Sequence, residues 1–330
     1  MEIIPHVKQF LRPSNQTFIR FNALMGRFKH PVWVLGAGRS GTTWLCNMLC
    51  ERRKYRFLFE PFHPAHNAEA DFLAGHLYFR AAELYPRLKN LADKVFNGTT
   101  FFPSSDPSNK HKLFDGMLVK DISANLFAYA LHKLKPNIDP ILIIRNPFSV
   151  ALSRQNKPDW AWFNDPESLL QQDSLRQDYL KPYEKLILEI SKTEDFILKQ
   201  ILIWSIIHFV PLQQFNPQNL QIVFYEDLLQ YTTRELHRLE GALKGSLSSP
   251  STGVTDQVKY KPSSTTGLTE NDLRKKSPSD WKKYITKEQL THGNMILDLF
   301  GLNFLYDEHG YPTVAPERVI TEMQKFSGKI

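Results

Sequence analysis

Cysteine is almost absent from this chain. There are two, Cys46 and Cys50, in 330 residues. They stand four apart on a candidate helix and so share a face. Two thiols in so long a chain exclude a small disulfide-stapled domain, and both read as buried small hydrophobes. Long hydrophobic runs are also missing. The longest, Ile201 to Val210, contains Ser205 and His208, meets Pro211, and is too short to span a bilayer. The opening stretch MEIIPHVKQFLRPSNQ has no unbroken apolar segment after a basic start, so it does not read as a signal peptide. These absences lead to the expectation of a cytoplasmic protein without a transmembrane segment. No nucleic-acid-binding module is recognisable, and no internal repeat is visible.

What is present is enough apolar material for one sizeable core, 42% of residues, and a formal net charge of +7 that favours anionic partners. Short apolar runs at Val32 to Leu35, Arg56 to Phe59, Met117 to Val119, Ile141 to Ile144 and Leu220 to Phe224 read as buried parallel strands. Helical patterns fall between or after them, at Thr42 to Arg52, Ser123 to Lys133, Ser149 to Arg154 and Leu228 to Leu243. The expected fold is α/β: a P-loop-like parallel sheet flanked by helices on both faces, in a single domain with inserted loops. In such sheets ligands sit beyond the carboxyl ends of the strands. The expected division is an N-terminal extension over residues 1–30 packing on a domain over 31–330. Thr99 to Lys112 and a stretch over 246–271 read as exposed loops, the second one flexible. Residues 159–185, with Trp160, Trp162, Phe163, Tyr179 and Tyr183, read either as a cap over the active site or as ordinary packing.

The most informative segment is VWVLGAGRSGTTWL, Val32 to Leu45. A strand enters a glycine-rich turn and then a helix start, where amides of Ser40, Gly41, Thr42 and Thr43 would face an anion. Three readings compete. Gly36, Gly38 and Gly41 spell the dinucleotide fingerprint GxGxxG, and Glu60 lies about twenty residues on, which would make an NAD(P)-binding oxidoreductase. Gly36 and Gly41 also have the spacing of a nucleoside-triphosphate loop, but Thr42 stands where that loop needs Lys. The third is a loop for a phosphosulfate, with its cation, Arg39, inside the turn. Further on, ILIIRNPFSVALSR places Arg145 at a strand end and Ser153 eight residues later. These can converge on one phosphate, or Arg145 can pair with a carboxylate at the sheet edge.

The two segments together resemble those of sulfotransferases that use 3′-phosphoadenosine 5′-phosphosulfate (PAPS). QIVFYEDLL, Gln221 to Leu229, and RKKSPSDWKKYIT, Arg274 to Thr286, add to the resemblance. The four motifs are scattered over residues 32–286. The resemblance implies that Arg39, Ser40, Gly41, Thr42 and Thr43 hold the 5′-phosphosulfate and that Trp44 and Tyr225 lie at the adenine. It further implies that Arg145 and Ser153 hold the 3′-phosphate, closed over by Arg274 and Lys275, with 3′,5′-adenosine bisphosphate as product and no metal required. The late loop departs from many cytosolic members, which have glycines where Lys276 and Ser279 stand here.

Transfer of a sulfuryl group needs a base for the acceptor and cations for the departing charge. Two carboxylates follow candidate strand ends: Glu60 in RFLFEPFHP and Asp121 in MLVKDIS. The Phe-Glu-Pro segment is similar to that of carbohydrate and protein-tyrosine sulfotransferases. That makes Glu60 the first choice of base and a carbohydrate or glycolipid hydroxyl the expected acceptor, with a small alcohol, lipid or peptide tyrosine as alternatives. The Lys-Thr-His of cytosolic members is absent; Lys120, Asp121 and Ile122 stand there, and Asp121 could substitute as base. Lys120 would stabilise the sulfuryl oxygens or pair with a carboxylate. His63 and His66 form HxxH beside Glu60, but Pro61 and Pro64 break helical spacing, which argues against a metal.

Overall fold

The computed structural model of the chain describes residues 15–106, 109, 111–243, 259, 269, 271 and 277–327. Five strands form one sheet: β1 (Val32–Gly36), β2 (Tyr55–Phe59), β3 (Gly116–Lys120), β4 (Asp139–Ile144) and β5 (Gln221–Phe224). All are parallel, in the order β2-β3-β1-β4-β5. The three central strands are buried at every position, whereas β2, at one edge, alternates. Continuous burial is why the central strands are plain apolar runs in the sequence.

The sheet's alternation divides the core in two. Trp33, Leu35, Leu58, Val119, Leu142, Ile144 and Phe224 pack into one cluster; Val32, Val34, Leu118, Ile141, Ile143 and Val223 pack into the other. Helices cover both faces, as the sequence predicts. They are α1 (Asn15–Leu24), α2 (Thr42–Arg52), α3 (Pro86–Phe96), α4 (Ala128–Leu134), α5 (Pro147–Gln155), α6 (Glu184–Ser191), α7 (Phe196–Gln214), α8 (Tyr225–Gln230), α9 (Thr232–Ala242), α10 (Lys287–Leu299) and α11 (Val319–Ser327). The α5 start shows the local logic: Pro147 fixes the first turn and the Asn146 side chain accepts from the Ser149 amide. The helix expected over Leu228 to Leu243 is two helices, α8 and α9, meeting at Tyr231. The apolar run from Ile201 belongs to α7, which is long and apolar enough to cross a membrane but lies mostly buried. It packs against α5, α10 and α11, so its hydropathy is that of a central core helix.

Residues 15–30 of the expected extension dock on the domain: Asn22 is fully buried, bonded to the Lys112 carbonyl and the Phe114 amide. In the segment from Thr99 to Lys112, the described residues Asp106 and Asn109 are pinned rather than merely exposed. Asn109 accepts from the Phe57 amide and donates to its carbonyl, standing in for a neighbour strand at the β2 edge. Asp106 holds the buried Arg56 guanidinium in a two-pronged ion pair at 2.8 and 2.6 Å. In the inserted segment, Tyr183 stacks on Phe300, Tyr179 meets Phe209 and Phe163 meets His76. Those three aromatics are packing, and so is Trp162, whose indole donates to the Arg154 and Lys157 carbonyls and whose ring lies under Arg154; Trp160 stays exposed. Nearly all of the loop expected over 246–271 lies outside the described residues.

Candidate active site

Each strand delivers a chemically active residue just past its carboxyl end: the Gly36–Ser40 turn after β1, Glu60 after β2, Asp121 after β3, Arg145 after β4 and Tyr225 after β5. The turn after β1 is tightly built. Arg39 takes a left-handed φ of 74° and Gly41, capping α2, a φ of 92°. A Cβ on Gly41 would come within 2.6 Å of the Tyr225 ring, so only glycine lets α2 start there. The first amides of a helix lack intrahelical partners, and here they belong to Thr42 and Thr43. The Ser40 hydroxyl beside them is completely buried and, among the described residues, has no hydrogen-bond partner.

Three guanidinium groups converge on this turn. Arg39 Nε donates to Ser153 Oγ at 3.0 Å, and Arg145 Nη1 donates to the Arg39 carbonyl at 2.8 Å. Arg154 Nε donates to the Gly38 carbonyl at 3.3 Å, and its Nη1 to Gln200 Oε1. Burial, then the neighbouring Arg145, holds the Arg39 guanidinium below its ordinary value; burial, then Arg39, pulls Arg154 down to about 10. Among the described residues neither Arg145 nor Arg154 forms an ion pair with a carboxylate, and Arg145 Nε has no partner. The alternative of a sheet-edge ion pair for Arg145 is therefore not what the structure shows. The nearby Glu226 accepts from the Asn146 amide and the Tyr306 hydroxyl, and burial lifts it to about 7. Arg154 was missed in the sequence; beside Ser153 on a helix, it reads as one more surface cation.

Tyr225 lies under Arg145, 4.5 Å from ring centre to guanidinium, and Trp44 packs on Tyr225 at 5.2 Å. The Trp44 indole N–H is taken by the Lys259 carbonyl at 2.8 Å, so the ring is held on edge rather than free. Arg274 and Lys275 lie outside the described residues. Trp160, 39% exposed, sits 5.0 Å from Trp162 and 5.9 Å from the Arg39 guanidinium.

The second cluster lies beyond β2 and β3. Glu60, with a left-handed φ of 48°, is the only non-glycine besides Arg39 with positive φ among the described residues. Strain of this kind collects at functional sites. Glu60 Oε1 forms a buried ion pair with Lys120 Nζ, and Oε2 faces His66 Nε2 at 3.7 Å. Lys120 thus pairs with Glu60, not with Asp121. Asp121 accepts from the Trp33 indole at 2.9 Å and the Phe62 amide at 3.3 Å, and burial pushes its carboxyl well up. Its geometry holds the turn after Glu60 in place. Prolines do not keep the two histidines apart. Backbone bonds from His63 to Glu60 and from His66 to His63, both 3.0 Å, form successive turns that bring Glu60, His63 and His66 ligand atoms within 4.8 Å of one another. The argument from broken helical spacing fails here, because non-helical turns bring the same three side chains together.

The sulfotransferase domain model matches residues 29–298. Among solved structures, mouse sulfotransferase SULT7A1 complexed with PAP is 11% identical, with 87% of this chain and 92% of that one covered and a TM-score of 0.43. The sulfotransferase domain from the curacin biosynthetic pathway is 14% identical, over 82% and 97%, with a TM-score of 0.40. A sulfotransferase from Alicyclobacillus acidocaldarius is 12% identical, over 81% and 95%, with a TM-score of 0.34. No curated protein sequence matches. With a family match spanning most of its length, the chain belongs to the sulfotransferase domain family and is a sulfotransferase.

Proposed function

We propose that this sulfotransferase takes its sulfuryl group from PAPS and passes it to a hydroxyl of a carbohydrate or glycolipid. The observation that carries the donor reading is the turn itself. Three guanidiniums meet there without a carboxylate partner for Arg145 or Arg154, beside a buried Ser40 hydroxyl and an Arg145 Nε that bond to nothing described. Buried cations and buried polar atoms are costly unless satisfied, and the phosphate and sulfate oxygens of the donor would satisfy them. Arg39, Ser40, Gly41, Thr42 and Thr43 would hold the phosphosulfate. Arg145 and Ser153 would hold the 3′-phosphate, and Trp44 and Tyr225 would flank the base. The donor supplies the sulfuryl group, and the arginines supply the charge that a metal provides in nucleoside-triphosphate sites. An oxidoreductase reading needs Glu60 free for a ribose, yet its carboxylate is engaged with Lys120. The acceptor reading is supported by Trp160, an exposed indole beside Arg39 of the kind that packs against a sugar face.

Calorimetry tests the donor. The expected outcome is binding of 3′,5′-adenosine bisphosphate without magnesium and no binding of NAD; the reverse overturns the proposal. Arg145→Ala should weaken the bisphosphate more than adenosine 5′-phosphate, and equal losses would remove Arg145 from the 3′-phosphate. Labelled PAPS presented with glycans, lipids and peptides tests the acceptor, with transfer to the glycans expected.

A further inference from the structure

The Glu60 cluster does not look like a carboxylate waiting for an acceptor. The Glu60 side chain is 6% exposed, one oxygen is held by the Lys120 ammonium, and the other faces an imidazole. The His66 side chain, in contrast, is 31% exposed while still facing Glu60. We propose that His66 is the group that takes the acceptor's proton, with Glu60 as its orienting partner. This rests on the sulfuryl-transfer reading given above.

The chemistry follows from the ring's two nitrogens. Nε2 faces the Glu60 carboxylate at 3.7 Å, which favours the tautomer with its proton on Nε2. The Nδ1 lone pair is left for the acceptor. His66 Nδ1 takes the O–H proton as the oxygen–sulfur bond forms. The bond from sulfur to the phosphate oxygen breaks, and its electron pair leaves with the bisphosphate. The resulting imidazolium is stabilised by Glu60. The 3.7 Å separation is longer than a hydrogen bond, as pairs of this kind often are before substrate tightens them. Position agrees: β2 stands two strands from β1, about 10 Å at normal ladder spacing. The sulfuryl group and the acceptor oxygen would lie between the Arg39 turn and the His66 ring.

The groups facing His66 are Glu60, His63 and Lys120, with the Phe59 ring perpendicular to the imidazole at 5.0 Å between ring centres. Burial lowers the imidazole from its ordinary 6.5, and Glu60 opposes that fall. His66 is therefore neutral, and competent as a base, at neutral pH.

The test joins kinetics to titration. With PAPS and octyl β-galactoside as probe acceptor, wild-type kcat should fall on acidification with a midpoint below 6.5. His66→Gln should lose about 100-fold or more in kcat and lose the acidic limb, while bisphosphate affinity stays within about 3-fold. Imidazole should restore part of the activity of His66→Ala. Glu60→Gln should move the His66 midpoint, followed by NMR of carbon-labelled histidine, to lower pH. A His66→Gln enzyme with near-normal kcat or an unchanged acidic limb overturns the proposal, and so does a His66 titration indifferent to Glu60. If wild type fails to bind the bisphosphate, the donor reading falls and this assignment with it. If it binds the bisphosphate but ignores the galactoside, the carbohydrate reading falls, and the titration still decides the pairing.

Discussion

Arg154 gives the sharpest quantitative test of the donor site. It is 3% exposed, its cation rests on two neutral oxygens and the Trp162 ring, and no described carboxylate pairs with it. A fall from 12.5 to about 10 corresponds to roughly 3 kcal/mol against holding the charge in the ligand-free fold. The folded value lies below the unfolded one, so the penalty is fully present below pH 10 and fades as pH rises through it. Arg154→Met removes the penalty but strands the Gln200 and Gly38 oxygens, a loss of about 1–3 kcal/mol. The two nearly cancel. The ligand-free melting temperature should therefore move by only a few degrees, at about 2–4 °C per kcal/mol. Binding behaves differently, because a bound phosphate would repay the penalty in the wild type alone. Bisphosphate affinity should drop about 100-fold, the equivalent of roughly 3 kcal/mol. Calorimetry and thermal melts on the same samples read both quantities. A variant that melts far earlier yet binds the bisphosphate normally would show Arg154 to be a packing residue and refute the reasoning.

Two further outcomes are expected. Gly41→Ala combines a φ of 92° with a 2.6 Å approach to Tyr225, so bisphosphate affinity should fall at least about 10-fold, from roughly 1–3 kcal/mol of strain; calorimetry showing no change would remove the turn's geometry from the binding account. Arg56→Met leaves Asp106 charged and buried at a cost of about 3–5 kcal/mol, and the melting temperature should fall by about 10 °C. Adding Asp106→Leu should restore most of the loss, and failure to do so would show that the ion pair is not the cause.

The five strands were legible because both faces of the sheet are covered, which leaves each central strand as an unbroken apolar run. The phosphate turn was legible because glycine and hydroxyl residues at that spacing have few other uses. α7 was not, because a helix buried all round has no periodic face and its apolar stretch looks like a strand or a fragment of a span. α3 was passed over although Leu88, Leu91, Ala92, Val95 and Phe96 keep amphipathic helical spacing, whereas α10 buries only Gly293, Ile296 and Leu297 and so shows little of an apolar face. Glu60 was found as a chemical group but not as a strained one, since nothing in the residue itself signals a left-handed φ, which is uncommon for any non-glycine residue. His66 was read through helical spacing, whereas the chain reaches the same place through consecutive turns. Arg274 and Lys275 keep only the support of the motif, because they lie outside the described residues.

Residues that meet at the phosphate turn come from Arg39, Arg145 and Tyr225, separated by most of the chain's length. Parallel strands of this kind pair late and slowly, since long loops must close first. A nascent or truncated chain lacking β5 would have the glycine turn but nothing beneath it. Capture on a bisphosphate resin should accordingly behave as a switch during refolding, appearing only once the last strand has docked.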